Sequence, residues 1–120
     1  MDNKKRSIRF RIAQLQHTFR HAADFGIHGG QNKLTHHAFG LALYTHIVSR
    51  ATTEIKGYYR NQPVTHYLNR GTGLNVMILP DGDYLSGWRL SPMQLHHVLS
   101  TGKLGGGNRE YFDQLCQINQ

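Results

Sequence analysis

Apolar residues recur at helical spacing from the first turn of the chain. Ile8, Ile12, Leu15, Phe19 and Ala22 or Ala23 follow the i, i+3/i+4 rule, with Arg and Gln on the opposite side. This predicts one amphipathic helix over residues 7–24, with Ser7 as its N-cap. Gly26, then Gly29-Gly30, ends the helix and opens a loop. A second helix is expected from about residue 34 to residue 50, with Thr35 near its start. Phe39, Leu43 and Ile47, with the adjacent Ala38, Ala42 and Leu41, make its buried side, and Arg50 suits its C-terminal dipole end.

The pattern then changes from helical spacing to short runs of β-branched and aromatic residues. Residues 55–60, 64–69, 74–79 and 84–90 read as strands. Asn61-Gln62-Pro63, Thr72-Gly73 and Pro80-Asp81-Gly82-Asp83 read as the turns between them. Such strands and tight turns imply an antiparallel meander. Ser91-Pro92 carries N-cap and N1 chemistry for a third helix, with Met93, Leu95 or His96, Val98 and Leu99 facing inward and Gly102 as the stop. Gly105-Gly106-Gly107 reads as a hinge, and Asn108 as the cap of a short last helix bearing Tyr111, Phe112, Leu115 and Cys116. There is no internal repeat and no dividing linker, so residues 1–120 are expected to form a single domain. The order of elements predicts an α+β fold. Its N-terminal helices pack on one face of a small antiparallel sheet, one or two helices follow, and the other face is left for a ligand.

Composition sharpens this picture. The 120 residues are 38% hydrophobic, enough for one core. No apolar run approaches membrane-spanning length, so the domain is not expected to insert in a membrane. The charged start lacks the apolar stretch of a secretory signal. The single cysteine, Cys116, excludes an internal disulfide and a thiolate zinc cage. The net charge is +7, and the first twenty residues hold Lys4, Lys5, Arg6, Arg9, Arg11 and Arg20 against Asp2 alone. Such a balance points to a polyanion, above all a nucleic acid. A solvated basic face or an acidic protein partner gives the same pattern. A membrane surface fits less well, because the basic helix has no Trp and its apolar stripe is needed for the core.

Nine histidines are the next departure from ordinary composition. His17 and His21 stand at i, i+4 and could share a metal, but carboxylates are scarce and no HExxH or Cys-His spacing exists, so no metal or other cofactor is expected. RNA offers a reaction that needs none. Its 2′-hydroxyl is the nucleophile, and a protein must supply a base, an acid and cations for the phosphorane charge. Imidazole suits the proton transfers because its ordinary pKa lies near neutrality. His21, with Arg20 beside it and Asp24 one turn on, is the leading candidate, and His66 in the segment Thr65-His66-Tyr67 is a second. For both, a buried structural histidine is the alternative. Ser86-Gly87-Trp88-Arg89 places the only Trp between a hydroxyl and a cation. Trp88 reads either as core or as a platform for a splayed base, with Ser86 and Arg89 holding phosphate. The triple glycine lacks the Lys-Ser/Thr of a P-loop, and Cys116 has no base partner in sequence.

Three ordered segments carry a family resemblance. They are Thr18-Phe19-Arg20-His21-Ala22-Ala23-Asp24-Phe25-Gly26-Ile27, then Val64-Thr65-His66-Tyr67 with Thr72-Gly73-Leu74-Asn75-Val76-Met77, then Ser86-Gly87-Trp88-Arg89-Leu90-Ser91-Pro92. Together, over about residues 14–104, they resemble the colicin D-like nuclease domains found at the C-termini of contact-dependent inhibition proteins and other polymorphic bacterial toxins. The resemblance implies a metal-independent ribonuclease that cuts transfer RNA in the anticodon loop, leaving a 2′,3′-cyclic phosphate and a 5′-hydroxyl. It implies that His21 is catalytic and that Arg20 takes the place of an adjacent family Lys. Ser86 and Trp88 fall on family site residues. A further family Lys falls on Thr18, a departure that moves the expected phosphate contacts to His17, Arg11 or Lys33. A small acidic immunity protein is implied as the partner. The implied setting is release within a secreted or cell-surface toxin and action in the target-cell cytoplasm. The competing expectation is a basic RNA- or DNA-binding module without catalysis.

Overall fold

The computed structural model describes Lys5 and residues 7–105. The expected glycine hinge beyond Gly105 and the helix expected after Asn108 lie outside the described residues. The described residues include the α-helices α1 (Ile12–Thr18), α2 (Lys33–Val48) and α3 (Pro92–Thr101). A 3₁₀ helix, Phe19–Phe25, continues α1. The strands are β1 (Thr52–Tyr59), β2 (Gln62–Asn69), β3 (Leu74–Ile78), β4 (Tyr84–Arg89) and β5 (Lys103–Leu104), in the order β4-β3-β2-β1-β5. The class is α+β, as expected. Four strands form the antiparallel meander, and β5 adds to β1 in parallel, so the sheet is mixed.

The first helix differs most from its sequence pattern. Ser7 does not cap it, and residues 8–10 are not helical. Instead Arg9 exchanges backbone hydrogen bonds with the β3–β4 turn: its N–H donates to Gly82 O and its carbonyl accepts from Tyr84 N. The Arg9 Nε–H donates to Asp83 at 2.8 Å and fixes that bridge. Ile8 and Phe10 pack on the core from this extended segment, and Ile12 is left 58% exposed. The α-helical hydrogen bonding ends at Thr18, whose hydroxyl bonds Gln14 O and the Tyr84 hydroxyl. The chain then tightens into the 3₁₀ helix, which stops at left-handed Gly26.

Capping chemistry defines the other two helices. Asn32 and Thr35 form a reciprocal capping box at the start of α2. Leu41 is 60% exposed, against expectation, because it stands two residues from both Phe39 and Leu43, on the far side of a 3.6-residue turn. Helix α3 has the expected Ser91 cap, Pro92 first turn and left-handed Gly102 stop. Its inward side is Leu95 and Val98, while Met93 and Leu99 are exposed. The first hairpin turns at Arg60-Asn61, both at positive φ, as a two-residue turn of this hand requires, and Gln62 and Pro63 already belong to β2.

Each face of the sheet carries a core, which corrects the expectation that one face is left open, while Glu54, Lys56 and Tyr58 leave the β1 end of the helix-side face exposed. Tyr67, Val76, Ile78 and Tyr84 join Leu15, Phe19, Phe39, Leu43 and Ile47 in one core. Val64, Leu68 and Met77 join Leu90, Val98 and Leu104 in another. The sheet also curls, since the Tyr59 ring of β1 reaches within 5.8 Å of Trp88 on β4. Gly57 allows the closing contact: a Cβ there would overlap the Gly102 carbonyl, which accepts from Tyr58 N and from His66 Nε2.

His66 and His46 are structural in this fold. His66 is fully buried, and a carbonyl can only accept, so its Nε2–H donates to Gly102 O and its Nδ1 accepts from Asn75 Nδ2. His46 likewise donates to Tyr67 O at 2.8 Å. Burial holds both imidazoles below the ordinary value of 6.5, outweighing the carbonyl bonds that pull the other way. The folded state therefore binds fewer protons than the unfolded chain, and stability is full above pH 6.5 and falls below it. The urea midpoint is expected to be lower at about pH 5.5 than at about pH 7.5; a flat or inverted dependence contradicts this assignment.

Candidate active site

Strand β4 is one of the two edge strands of the sheet, and the 3₁₀ helix packs against it. Their approach depends on a residue that has no side chain. A Cβ at Gly87 would stand 3.0 Å from Asn75 O, 3.2 Å from Val76 Cγ2 and 3.3 Å from Phe25 Cζ, so a larger residue would have to push these neighbours back by a few tenths of an ångström. A second clip is polar. The Asp24 carboxylate accepts the Arg89 backbone N–H at 2.9 Å, satisfying a donor on the edge strand. With Asp24, Phe25 and Gly87 in place, His21 and Trp88 meet, their ring centroids 5.3 Å apart and their planes tilted by 33°.

A β-bulge sets which way Trp88 points. Met77 pairs with Ser86, but Ile78 pairs with Tyr84, leaving Leu85 as the extra residue. Without it Tyr84, Ser86 and Trp88 would share a face. With it Tyr84 enters the core under the N-terminal helices, while Ser86 and Trp88 lie on the face shared with Met77 and Asn75. The indole is half-buried, with Tyr59 at its edge and its Nε1–H donated to Gln94 Oε1 at 3.3 Å. Trp88 packs on the second core, as its core reading expects, and its ring also faces His21.

His21 is partly exposed. The Arg20 Nε–H donates to its Nε2 at 3.2 Å, so the lone pair is on Nε2 and the neutral ring carries its proton on Nδ1. Burial and then the Arg20 charge lower the His21 pKa below 6.5, and Asp24 opposes them. The ring is thus mainly neutral at pH 7 and able to take a proton.

The other predicted residues divide. Ser86 is nearly buried, two residues before Trp88 on the same face. The Arg89 side chain is exposed and tied by its guanidinium to Thr72 O at 2.7 Å. His17 is exposed in the last turn of α1, one turn before His21, and Lys33 is exposed at the first position of α2. Arg11 sits at the opposite end of α1 from His21 and pairs with Asp83 at 3.3 Å, so it serves the N-terminal bridge and not this groove. His66 is also corrected. A proton-transfer group must reach the substrate, and His66 has no exposed surface and no free ring nitrogen. Among the described residues, no group of three or more His, Cys, Asp or Glu side chains is placed to hold a metal ion.

Comparisons with known proteins agree with this architecture. A family model described as Colicin D matches residues 14–98. A curated relative, Colicin-D of Escherichia coli, is 36% identical over 87 residues, which are 72% of this chain and 12% of the relative. A solved ribonuclease from Escherichia coli, complexed with its inhibitor protein, superposes with a TM-score of 0.69 at 36% identity, covering 76% of this chain and 100% of the other. The chain belongs to the Colicin D family. It spans about an eighth of the curated relative's length.

The sequence reading missed the parts that hold the groove together: Gly87, the Asp24 bond to Arg89, Tyr59 and Gln94. The pairing of a glycine with the only Trp was the one available signal. Replacing Gly87 with Ala is expected to cost about 1–3 kcal/mol in urea unfolding and to alter the near-ultraviolet circular dichroism of Trp88. Wild-type stability with an unchanged Trp88 band contradicts the close-approach argument.

Proposed function

We propose that this chain is a bacterial toxin ribonuclease that cuts transfer RNA in the anticodon loop by metal-independent transesterification. The observation that carries the reading is the neutral His21 imidazole, bonded by Arg20 and set against the Trp88 indole on a sheet edge. The net charge of +7 supports a polyanionic substrate, and membership of the Colicin D family supports ribonuclease chemistry. The similar structure is a ribonuclease with an inhibitor protein. We extend that to an acidic immunity protein here, which would present carboxylates where RNA presents phosphates.

In the proposed reaction, a loop nucleotide is seated against Trp88 with its ribose at His21. The scissile phosphate draws the Arg20 guanidinium onto its oxygens, and the 2′-hydroxyl replaces Arg20 at His21 Nε2. His21 takes the hydroxyl proton, the 2′-oxygen forms a bond to phosphorus, and the bond to the 5′-oxygen breaks. Arg20 offsets the charge of the pentavalent state. The leaving 5′-oxygen takes a proton from water, and the His21 imidazolium returns its proton to the hydroxide left behind. The products are a 2′,3′-cyclic phosphate and a 5′-hydroxyl. His17, Lys33 and Arg89 are exposed cations or polar groups for flanking phosphates, and Ser86 lies beside the platform. The site of action is the cytoplasm of a target cell, reached as part of a secreted or cell-surface toxin.

Incubation with total transfer RNA in EDTA is expected to give two fragments near half length, with cyclic phosphate at the new 3′ end. His21→Ala should lower the rate about 10²–10⁴-fold while keeping the fold. Intact transfer RNA across the neutral range, with salt-dependent binding only, would instead mark a non-catalytic nucleic-acid module.

A further inference from the structure

We infer that Gln94 is a positioning residue of this site, its amide oxygen fixing the Trp88 indole in the orientation that faces His21. The inference rests on the ribonuclease reading for its effect on substrate, and on geometry alone for its effect on the indole.

Gln94 is the third residue of α3 and half of its capping box. Its backbone N–H donates to Ser91 Oγ at 3.1 Å, and its Oε1 accepts the Ser91 N–H at 3.0 Å. The same oxygen accepts the Trp88 Nε1–H at 3.3 Å. An amide oxygen has two lone pairs, and here both are used. A capping box requires only one of these bonds, so the second is additional to holding the helix start. An indole has one donor, and the half-buried Trp88 spends it on Gln94. Without that bond the ring's orientation would rest on its packing against His21 and Tyr59 alone. The acceptor is itself rigidly held. Only Leu90 and Ser91 separate α3 from Arg89 at the end of β4, and Leu90 is buried with its N–H on Gly73 O. The Trp88 platform is thus held by the helix that follows it, as His21 is held by the Asp24 bond on the helix that precedes it.

Three variants separate positioning from helix capping. Gln94→Leu removes the acceptor, Gln94→Glu keeps it, and Ser91→Ala weakens the cap while leaving the bond to Trp88. Trp88 is the only tryptophan, so its near-ultraviolet circular dichroism and fluorescence anisotropy report its orientation without RNA. Gln94→Leu is expected to lose most of the Trp88 dichroic band, and Gln94→Glu to retain it. Ser91→Ala should retain it although the melting temperature falls. On transfer RNA, Gln94→Leu should raise KM about tenfold, the scale of one weakened stacking contact, with kcat changed less than about threefold; Ser91→Ala should leave both near wild type. A Trp88 band unchanged in folded Gln94→Leu, or equal losses in Gln94→Leu and Ser91→Ala, overturns the proposal. Should Gln94→Leu not fold, Gln94→Met, which also lacks the acceptor and matches Gln in length, carries the same comparison. If wild-type protein leaves transfer RNA intact, the ribonuclease reading fails, and the spectra alone still decide the role of Gln94.

Discussion

The whole site depends on the 3₁₀ helix lying flush against an edge strand. Two interactions make that possible, one steric and one polar. Gly87 leaves room for Phe25, and Asp24 bonds the Arg89 N–H that an edge strand would otherwise present to solvent. The polar clip also has an electrostatic consequence. Asp24 raises the His21 pKa, while burial and Arg20 lower it more, so the imidazole stays neutral although a carboxylate stands close by. The arrangement that covers the edge of the sheet also sets the charges around the His21 imidazole.

The basic charge of the chain is not all available to a ligand. Arg9 and Arg11 meet Asp83 across the β3–β4 turn, and this cluster anchors the N-terminal segment as an extra bridge to the sheet. The hydrogen bond from Arg9 and the nearby Arg11 hold the Asp83 carboxyl below the usual carboxylate range. Arg20 has a different position, with one guanidinium N–H on the imidazole and the rest of the side chain exposed. Arg89 is anchored to Thr72 O with its side chain still exposed. The cations committed to the N-terminal bridge, Arg9 and Arg11, are thus distinct from Arg20 and Arg89 beside His21 and Trp88.

Much of this was legible in the sequence because it is local. Turn and cap chemistry placed β3, β4 and α3 within about a residue, since Pro-Asp-Gly-Asp and Ser-Pro act within a few bonds; the first hairpin turns at Arg60-Asn61, so β1 starts three residues and β2 two residues earlier than expected. That His21 and Trp88 belong together was implied by the family resemblance, and the structure brings their rings to 5.3 Å. What the sequence hid is non-local. The break of the first helix into α and 3₁₀ parts follows from Arg9 and Thr18 contacts more than sixty residues away in sequence. For His66 the sequence left a candidate base and a buried structural histidine side by side, and the curl of the sheet around Gly57 and Gly102 selects the second. The Leu85 bulge, which turns Ser86 and Trp88 to their face, has no residue signature of its own.

The most direct test of the central claim is a nuclear magnetic resonance titration that follows the Trp88 indole N–H and the His21 imidazole in the same samples. The account predicts that both move with one midpoint, below 6.5, set against the charges of Arg20 and Asp24, and that the indole shift vanishes in His21→Ala. A His21 midpoint at or above 6.5, or an indole resonance indifferent to His21, would contradict it.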